Sequence, residues 1–205
     1  MNKGSRIEFD EQKHLYTVDG VKMPSVTEIL SPLTARHYGE ISKETLRLAA
    51  DRGTAVHEAC ECLDYGLDID EDFPAEWLGY VRAYAEFLND YRPKWEGIEE
   101  MVYHELQGYC GRVDRYGLID GKMSVLDIKT TATPTKANYM AGACQTVAYG
   151  NALQSVKKGF LLYLKKDGGY RLVDTDEWAK KHDFDAYTVW QLCLDLYNYT
   201  ERSVK

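Results

Sequence analysis

Asp114-Arg115-Tyr116-Gly117-Leu118-Ile119-Asp120-Gly121-Lys122-Met123-Ser124-Val125-Leu126-Asp127-Ile128-Lys129 reads as a β-hairpin that carries its chemistry at the open end. Asp120-Gly121 is the turn signal, because both residues tolerate the positive φ that a tight hairpin demands. The flanks alternate with period two, which predicts strands at Cys110–Leu118 and Ser124–Thr130. Asp127 and Lys129 are two apart on one strand, so their side chains share a face while Ile128 points to the other layer. Asp114 lies on the partner strand. Two carboxylates facing each other across a hairpin repel unless a cation sits between them. Oxygen ligands on a rigid frame suit Mg²⁺ or Mn²⁺.

Working upstream, Met101–Glu105 is predicted as a third strand. Two helices precede it. One runs from about Ser42 to Tyr65, with Leu46, Ala49, Gly53, Val56, Cys60 and Leu63 at helical spacing. Gly53 inside that pattern predicts close approach of another backbone. The other covers about Pro74 to Tyr91 and ends at Pro93. Upstream again, Arg6–Phe9, Leu15–Val18 and Lys22–Pro24 read as short strands. Ser25-x-x-Glu28 then fits a capping box for a short helix ending near Pro32. Downstream, a helix is expected from Thr135 to about Leu153. A hairpin at Gly159–Lys165 and Tyr170–Asp174 follows, turning on Asp167-Gly168-Gly169, and then a helix from Asp183 to about Thr200. This order predicts a single α/β domain over residues 1–205, with a central mixed β-sheet flanked by helices.

Composition limits what such a domain does. With 205 residues, 44% hydrophobic and 28% charged, the chain can bury a sizeable core and is not a disordered tail. A net charge of −8 argues against a protein that coats nucleic acid by bulk electrostatics. It is compatible with carboxylates that take cations. The five cysteines are scattered with no C-x-x-C pair, so neither a disulfide framework nor a zinc ribbon is expected. No apolar run approaches the ~20 residues that span a bilayer. The start, MNKGSRIEFDEQKHLY, has no apolar stretch of a secretory signal, so a cytoplasmic location and no membrane contact are expected.

Three further groups accompany the hairpin. His57 lies on the long helix, within Arg52-Gly53-Thr54-Ala55-Val56-His57, where an imidazole nitrogen could reach a metal. Gly111-Arg112-Val113-Asp114 leads into the first carboxylate. Gln145 and Tyr149 are four apart on one helical face. Taken singly, each is as well explained by structure: an exposed Asp/Lys pair, a histidine packed in place, a helix side lying on a sheet. Glu58 is turned away from His57 by one step around the helix.

Taken together, R-G-x-x-x-H, G-x-x-D, D-I-K-T and Q-x-x-x-Y, in that order, resemble the PD-(D/E)XK nuclease superfamily, in its RecB-like and phage-exonuclease branch. The resemblance covers about residues 52–150, with the amino-terminal strands and the carboxy-terminal helix outside it. It implies a restriction-endonuclease-like core. It also implies that His57, Asp114, Asp127 and the backbone carbonyl of Ile128 hold Mg²⁺ or Mn²⁺. Lys129 would position or activate the attacking water, while Gln145 and Tyr149 would support that lysine and contact DNA. Glu105 would match an acidic position found in some members. Iron–sulfur members carry three cysteines beyond the core, but only Cys193 follows Tyr149 here, so no cluster is expected. The activity implied is a metal-dependent deoxyribonuclease, an exonuclease before an endonuclease, in DNA recombination, repair or replication. Its partners would be single-stranded or duplex DNA ends and a recombinase or single-strand-binding protein. A nicking or site-specific enzyme and a silent binding module of the same fold are the alternatives.

Overall fold

A computed structural model describes residues 6–11, 13, 15–38, 42–131, 133–154 and 156–202. The expectation about a leader therefore falls partly on residues outside the described set. Three antiparallel strands open the chain: β1 (Ile7–Asp10), β2 (Leu15–Val18) and β3 (Val21–Met23). Helix α1 (Val26–Ile29) starts with the expected capping box between Ser25 and Glu28. A second helix, α2 (Ser31–Tyr38), follows directly. Pro32 was read as a stop, yet it sits in the first helical turn, where its missing N–H costs nothing.

Helix α3 (Lys43–Asp64) is capped by the Ser42 side chain, which accepts from the Thr45 amide. Gly53 does not meet another backbone: a Cβ built there has nothing within 4 Å. It faces an open cleft that it shares with His57. After one 3₁₀ turn, α4 (Leu78–Tyr91) ends at Arg92, whose left-handed backbone (φ 44) turns the chain into the sheet.

The main sheet has five strands in chain order: β4 (Lys94–His104), β5 (Tyr109–Ile119), β6 (Lys122–Lys129), β7 (Lys158–Leu164) and β8 (Tyr170–Asp174). Neighbours are antiparallel except β6 and β7, which run parallel because α5 (Lys136–Leu153) crosses between them. The sheet is therefore mixed, as expected. Strand β4 begins seven residues before Met101. A register shift between Trp95 and Gly97 interrupts the alternation that would have betrayed its start. Asp120 (φ 49) and Gly121 (φ 73) form the expected turn between β5 and β6. Helices α6 (Thr175–Lys181) and α7 (Ala186–Arg202) close the described chain; α6 was not expected.

Both faces of the sheet are covered. Val113 and Val125 pack with α1, α5 and α7 through Val26, Ala148, Trp190 and Leu194. Leu126, Ile128 and Leu162 pack with α3 and α4 through Val56, Cys60, Tyr84 and Phe87. Strand β6 is thus buried on both faces, and any charge upon it must be paired. All five cysteines are free thiols, and no helix among the described residues is long and apolar enough to cross a membrane.

A candidate metal centre at the splayed end of the hairpin

Pairing between β5 and β6 stops at Arg115↔Leu126. One step further the strands part, and Asp114 and Asp127 stand at the mouth of the opening. The Asp114 carboxylate accepts from the Ile128 amide at 2.7 Å, taking a ladder hydrogen bond that no strand partner takes. Asp127 points to the α5 face and is 1% exposed. Burial pushes its carboxyl up to about 6; Lys129 opposes that shift and Asp114 adds to it.

Lys129 Nζ donates to Asp127 Oδ1 at 2.9 Å and lies 2.8 Å from Oδ2. Both carboxylate oxygens of Asp127 thus face the ammonium. Lys129 also reaches Gln145 Oε1 at 3.4 Å, and Gln145 Nε2 donates to the Tyr149 hydroxyl at 3.2 Å. The i, i+4 spacing on α5 builds this relay. Tyr149 is 3% exposed and packs against Gly111, where an added Cβ would come within 2.5 Å of the ring. The glycine of G-x-x-D is thus required by Tyr149. Burial on this scale keeps the Tyr149 ring away from solvent.

His57 approaches from α3, on the other face. Its Nε2 lies 3.1 Å from the Ile128 carbonyl oxygen. Its Nδ1 lies 3.4 Å from Glu99 Oε1 and 3.8 Å from Asp114 Oδ2. His57, Glu99 and Asp114 each offer a ligand atom, and these atoms lie within 4.8 Å of one another. Burial alone would lower the His57 pKa, but Asp114 and Glu99 outweigh it and raise it from 6.5 to about 9. The folded value lies above the ordinary one. This interaction therefore contributes stability that is full below about pH 6.5 and is lost as pH rises through about 9. In EDTA, the melting temperature is expected to fall across that window in the wild type and to stay level in His57→Gln. A wild-type melting temperature that is flat from pH 6.5 to 9 would contradict the assignment.

The structure gathers His57, Asp114, Asp127, Ile128, Lys129, Gln145 and Tyr149, and does not gather Glu105. Glu105 is exposed in the turn after β4. That is six residues, about 20 Å of strand, from Glu99. Glu99 was missed. The pairs Ile98↔Arg115 and Glu100↔Val113 place it opposite Asp114, with a left-handed backbone (φ 49). Its carboxyl sits below the ordinary range: burial opposes this, but His57 and Arg115 prevail. Arg115 and Asp64 were missed as well. Arg115 is fully buried, donates from Nε to Asp64 at 2.6 Å, and donates from Nη1 to Glu99 at 2.9 Å and to the Asp114 carbonyl at 2.6 Å. Asp64 also accepts from Tyr84 and Trp95.

The donor set fits a divalent cation. Carboxylate oxygens from Glu99 and Asp114 and one imidazole converge close to the Ile128 carbonyl, which His57 Nε2 meets at 3.1 Å, while Asp127 stands next along β6 and pairs with Lys129. Two openings flank the cluster. A cavity of about 270 Å³ is lined by Lys129, Gln145, Thr131 and Tyr163. A wider cleft of about 560 Å³ is lined by His57, Glu99, Glu58 and Arg112. Glu58, read as turned away, therefore shares the histidine's cleft.

No protein-family model matches the chain, nor does any curated protein. Among solved structures it is similar to an alkaline exonuclease (LHK-Exo) from Laribacter hongkongensis, at 12% identity and a TM-score of 0.39 over 89% of this chain and 93% of that one. The same exonuclease in complex with dAMP aligns at 10% identity and a TM-score of 0.37, over 89% of this chain and 95% of that one.

Proposed function

We propose that the protein hydrolyses phosphodiester bonds of DNA, as an exonuclease that uses Mg²⁺ or Mn²⁺. One observation supports this reading above the rest. An ammonium group, Lys129 Nζ, is locked between a buried carboxylate and Gln145 at the edge of a cavity, next to a histidine–carboxylate cluster. A static ion pair on a strand has no need of such a setting.

His57, Glu99, Asp114 and Asp127 would hold the cation, with the Ile128 carbonyl as a further oxygen. When bound, the cation supplies Lewis acidity towards a phosphate oxygen. The rest falls to the chain. Lys129 faces the cavity and orients the attacking water while countering charge that grows on the phosphate. Asp127 and Gln145 hold Lys129 in one rotamer, and Tyr149 holds Gln145. Asp114 ties its own strand to the Ile128 amide and so keeps the two carboxylate-bearing strands at a constant spread. The Ile128 carbonyl meets His57 and orients the ring.

The test is a set of time courses on end-labelled linear single-stranded, linear duplex and closed circular DNA, with Mg²⁺ or Mn²⁺ and with EDTA. Progressive shortening of linear DNA is expected, dependent on the cation and absent in Asp127→Asn. Discrete bands from circular DNA would make the enzyme an endonuclease. No cation-dependent cleavage of any of the three would overturn the proposal.

A further inference from the structure

A row of rings and cations leads away from Lys129 on the α5 face of the sheet. Tyr163, on β7, lines the same cavity as Lys129. The Tyr139 ring meets Tyr163 edge-on with centroids 5.3 Å apart. Trp178 stacks on Tyr139 at 5.4 Å, and His182 stacks on Trp178 at 4.5 Å. The Arg171 guanidinium lies over both tyrosines, 5.3 Å from the Tyr139 centroid and 5.7 Å from that of Tyr163. Tyr139, Arg171, Trp178, Lys181 and His182 line a cleft of about 460 Å³.

Packing accounts for part of this. Trp178 also meets Phe184 edge-on, so the rings pin α6 to α5 and β7. Arg171 rests on the two tyrosines and His182 Nδ1 also meets the Trp178 carbonyl at 2.8 Å, yet Arg171, Lys181 and His182 remain exposed at the rim of the cleft. Planar groups beside fixed cations, continuous with a cavity that holds the candidate catalytic lysine, form the arrangement that binds unpaired bases and their phosphates.

We propose that this strip is a track for single-stranded nucleic acid, holding the strand next to the site. The proposal rests on the nuclease reading for the identity of its occupant. One base stacks on the Arg171 plane and another on the His182 ring, the two ends of the aromatic column, while Arg171 and Lys181 meet phosphates. A duplex keeps its bases stacked on one another and offers no such faces, so the track selects single strands. With a net charge of −8, attraction must be local; screening confines it to about 8 Å at physiological salt. The acidic residues of the cleft are Asp174 and Glu177. Asp174 is bound by Lys158 and caps α6, whereas Glu177 stands on the exposed wall and opposes a strand.

The experiment measures binding of fluorescein-labelled dT12 to the full chain by anisotropy in EDTA, where nothing is cut. A blunt duplex of equal length is measured in parallel. Arg171→Ala/Lys181→Ala is expected to weaken dT12 binding by about tenfold or more and to flatten its salt dependence. Glu177→Lys is expected to tighten it. Duplex binding should be weaker in the wild type and unmoved by either variant. Cleavage of thymidine 5′-p-nitrophenyl phosphate with Mn²⁺, a substrate too short for the track, should be unchanged in both. Equal dT12 affinity in wild type and double variant would overturn the track, as would an equal loss on duplex. If the wild type cuts nothing but binds dT12 through these residues, the nuclease reading fails and the track stands.

Discussion

Lys129→Ala is expected to slow phosphodiester hydrolysis by roughly 10²–10⁴-fold, the range of a lost positioned proton-transfer or charge-stabilising group. Two losses combine. The first is the ammonium itself, whose side chain is 34% exposed and so reaches the cavity. The second is Asp127. Burial already holds its carboxyl near 6, with Lys129 opposing the rise and Asp114 adding to it. Without the lysine that carboxyl moves further up and takes a proton near neutral pH, which removes a cation ligand. Single-turnover cleavage at saturating DNA reads the first loss, and calorimetric Mn²⁺ titration reads the second. Lys129→Arg keeps the charge and should retain Mn²⁺ binding while cleavage stays slow, because a planar fork does not replace an ammonium at the 2.9 Å contact with Asp127. Unchanged single-turnover cleavage in Lys129→Ala would remove the lysine from the mechanism. The melting temperature should fall as well, by less than in the fully buried Arg115 variant, because Asp127 stays buried without its ammonium and escapes the cost only by taking a proton.

Arg115→Met is the larger structural injury. Arg115 is fully buried and its partner Asp64 is 1% exposed at the side chain, so the pair exchanges no charge with water. Removing one partner of such a pair costs about 3–5 kcal/mol, because the other stays behind as an uncompensated buried charge. For a domain of this size that lowers the melting temperature by roughly 10 °C. Glu99 also loses the donor at 2.9 Å that holds it against His57, so Mn²⁺ affinity should fall in the fraction that folds. The double variant Arg115→Met/Asp64→Leu should recover part of the stability, though Tyr84 and Trp95 then lose their acceptor. It should recover none of the Mn²⁺ affinity. A single variant that melts with the wild type would show that the buried pair carries no net stability.

Much of the fold was legible in local pattern. Asp120-Gly121 between alternating flanks specified the β5–β6 hairpin, since positive φ at two successive positions leaves few other residues. Ser25-x-x-Glu28 specified the start of α1, helical spacing specified α3 and α4, and α5 was expected as a helix from Thr135 to about Leu153. Short-range chemistry was also legible: Asp127 with Lys129 two apart on a strand, and Gln145 with Tyr149 four apart on a helix, are pairs that backbone geometry alone brings together. Helices α2 and α6 were not legible. Pro32 acts as a stop or as a first-turn residue according to what precedes it, and α6 is only seven residues long.

By itself, then, the sequence determined the hairpin, the helices around it, and the side chains that lie near each other along one element. Only the tertiary structure decided which carboxylate joins His57. Glu99 rather than Glu105 stands there because the β4–β5 register sets it opposite Asp114, and register is a property of two strands, not one. Only the tertiary structure parted β5 from β6 beyond Arg115↔Leu126, and only it buried Arg115 against Asp64, 51 residues away in the chain. Those contacts form when α3 is laid across a sheet, and no local period encodes them.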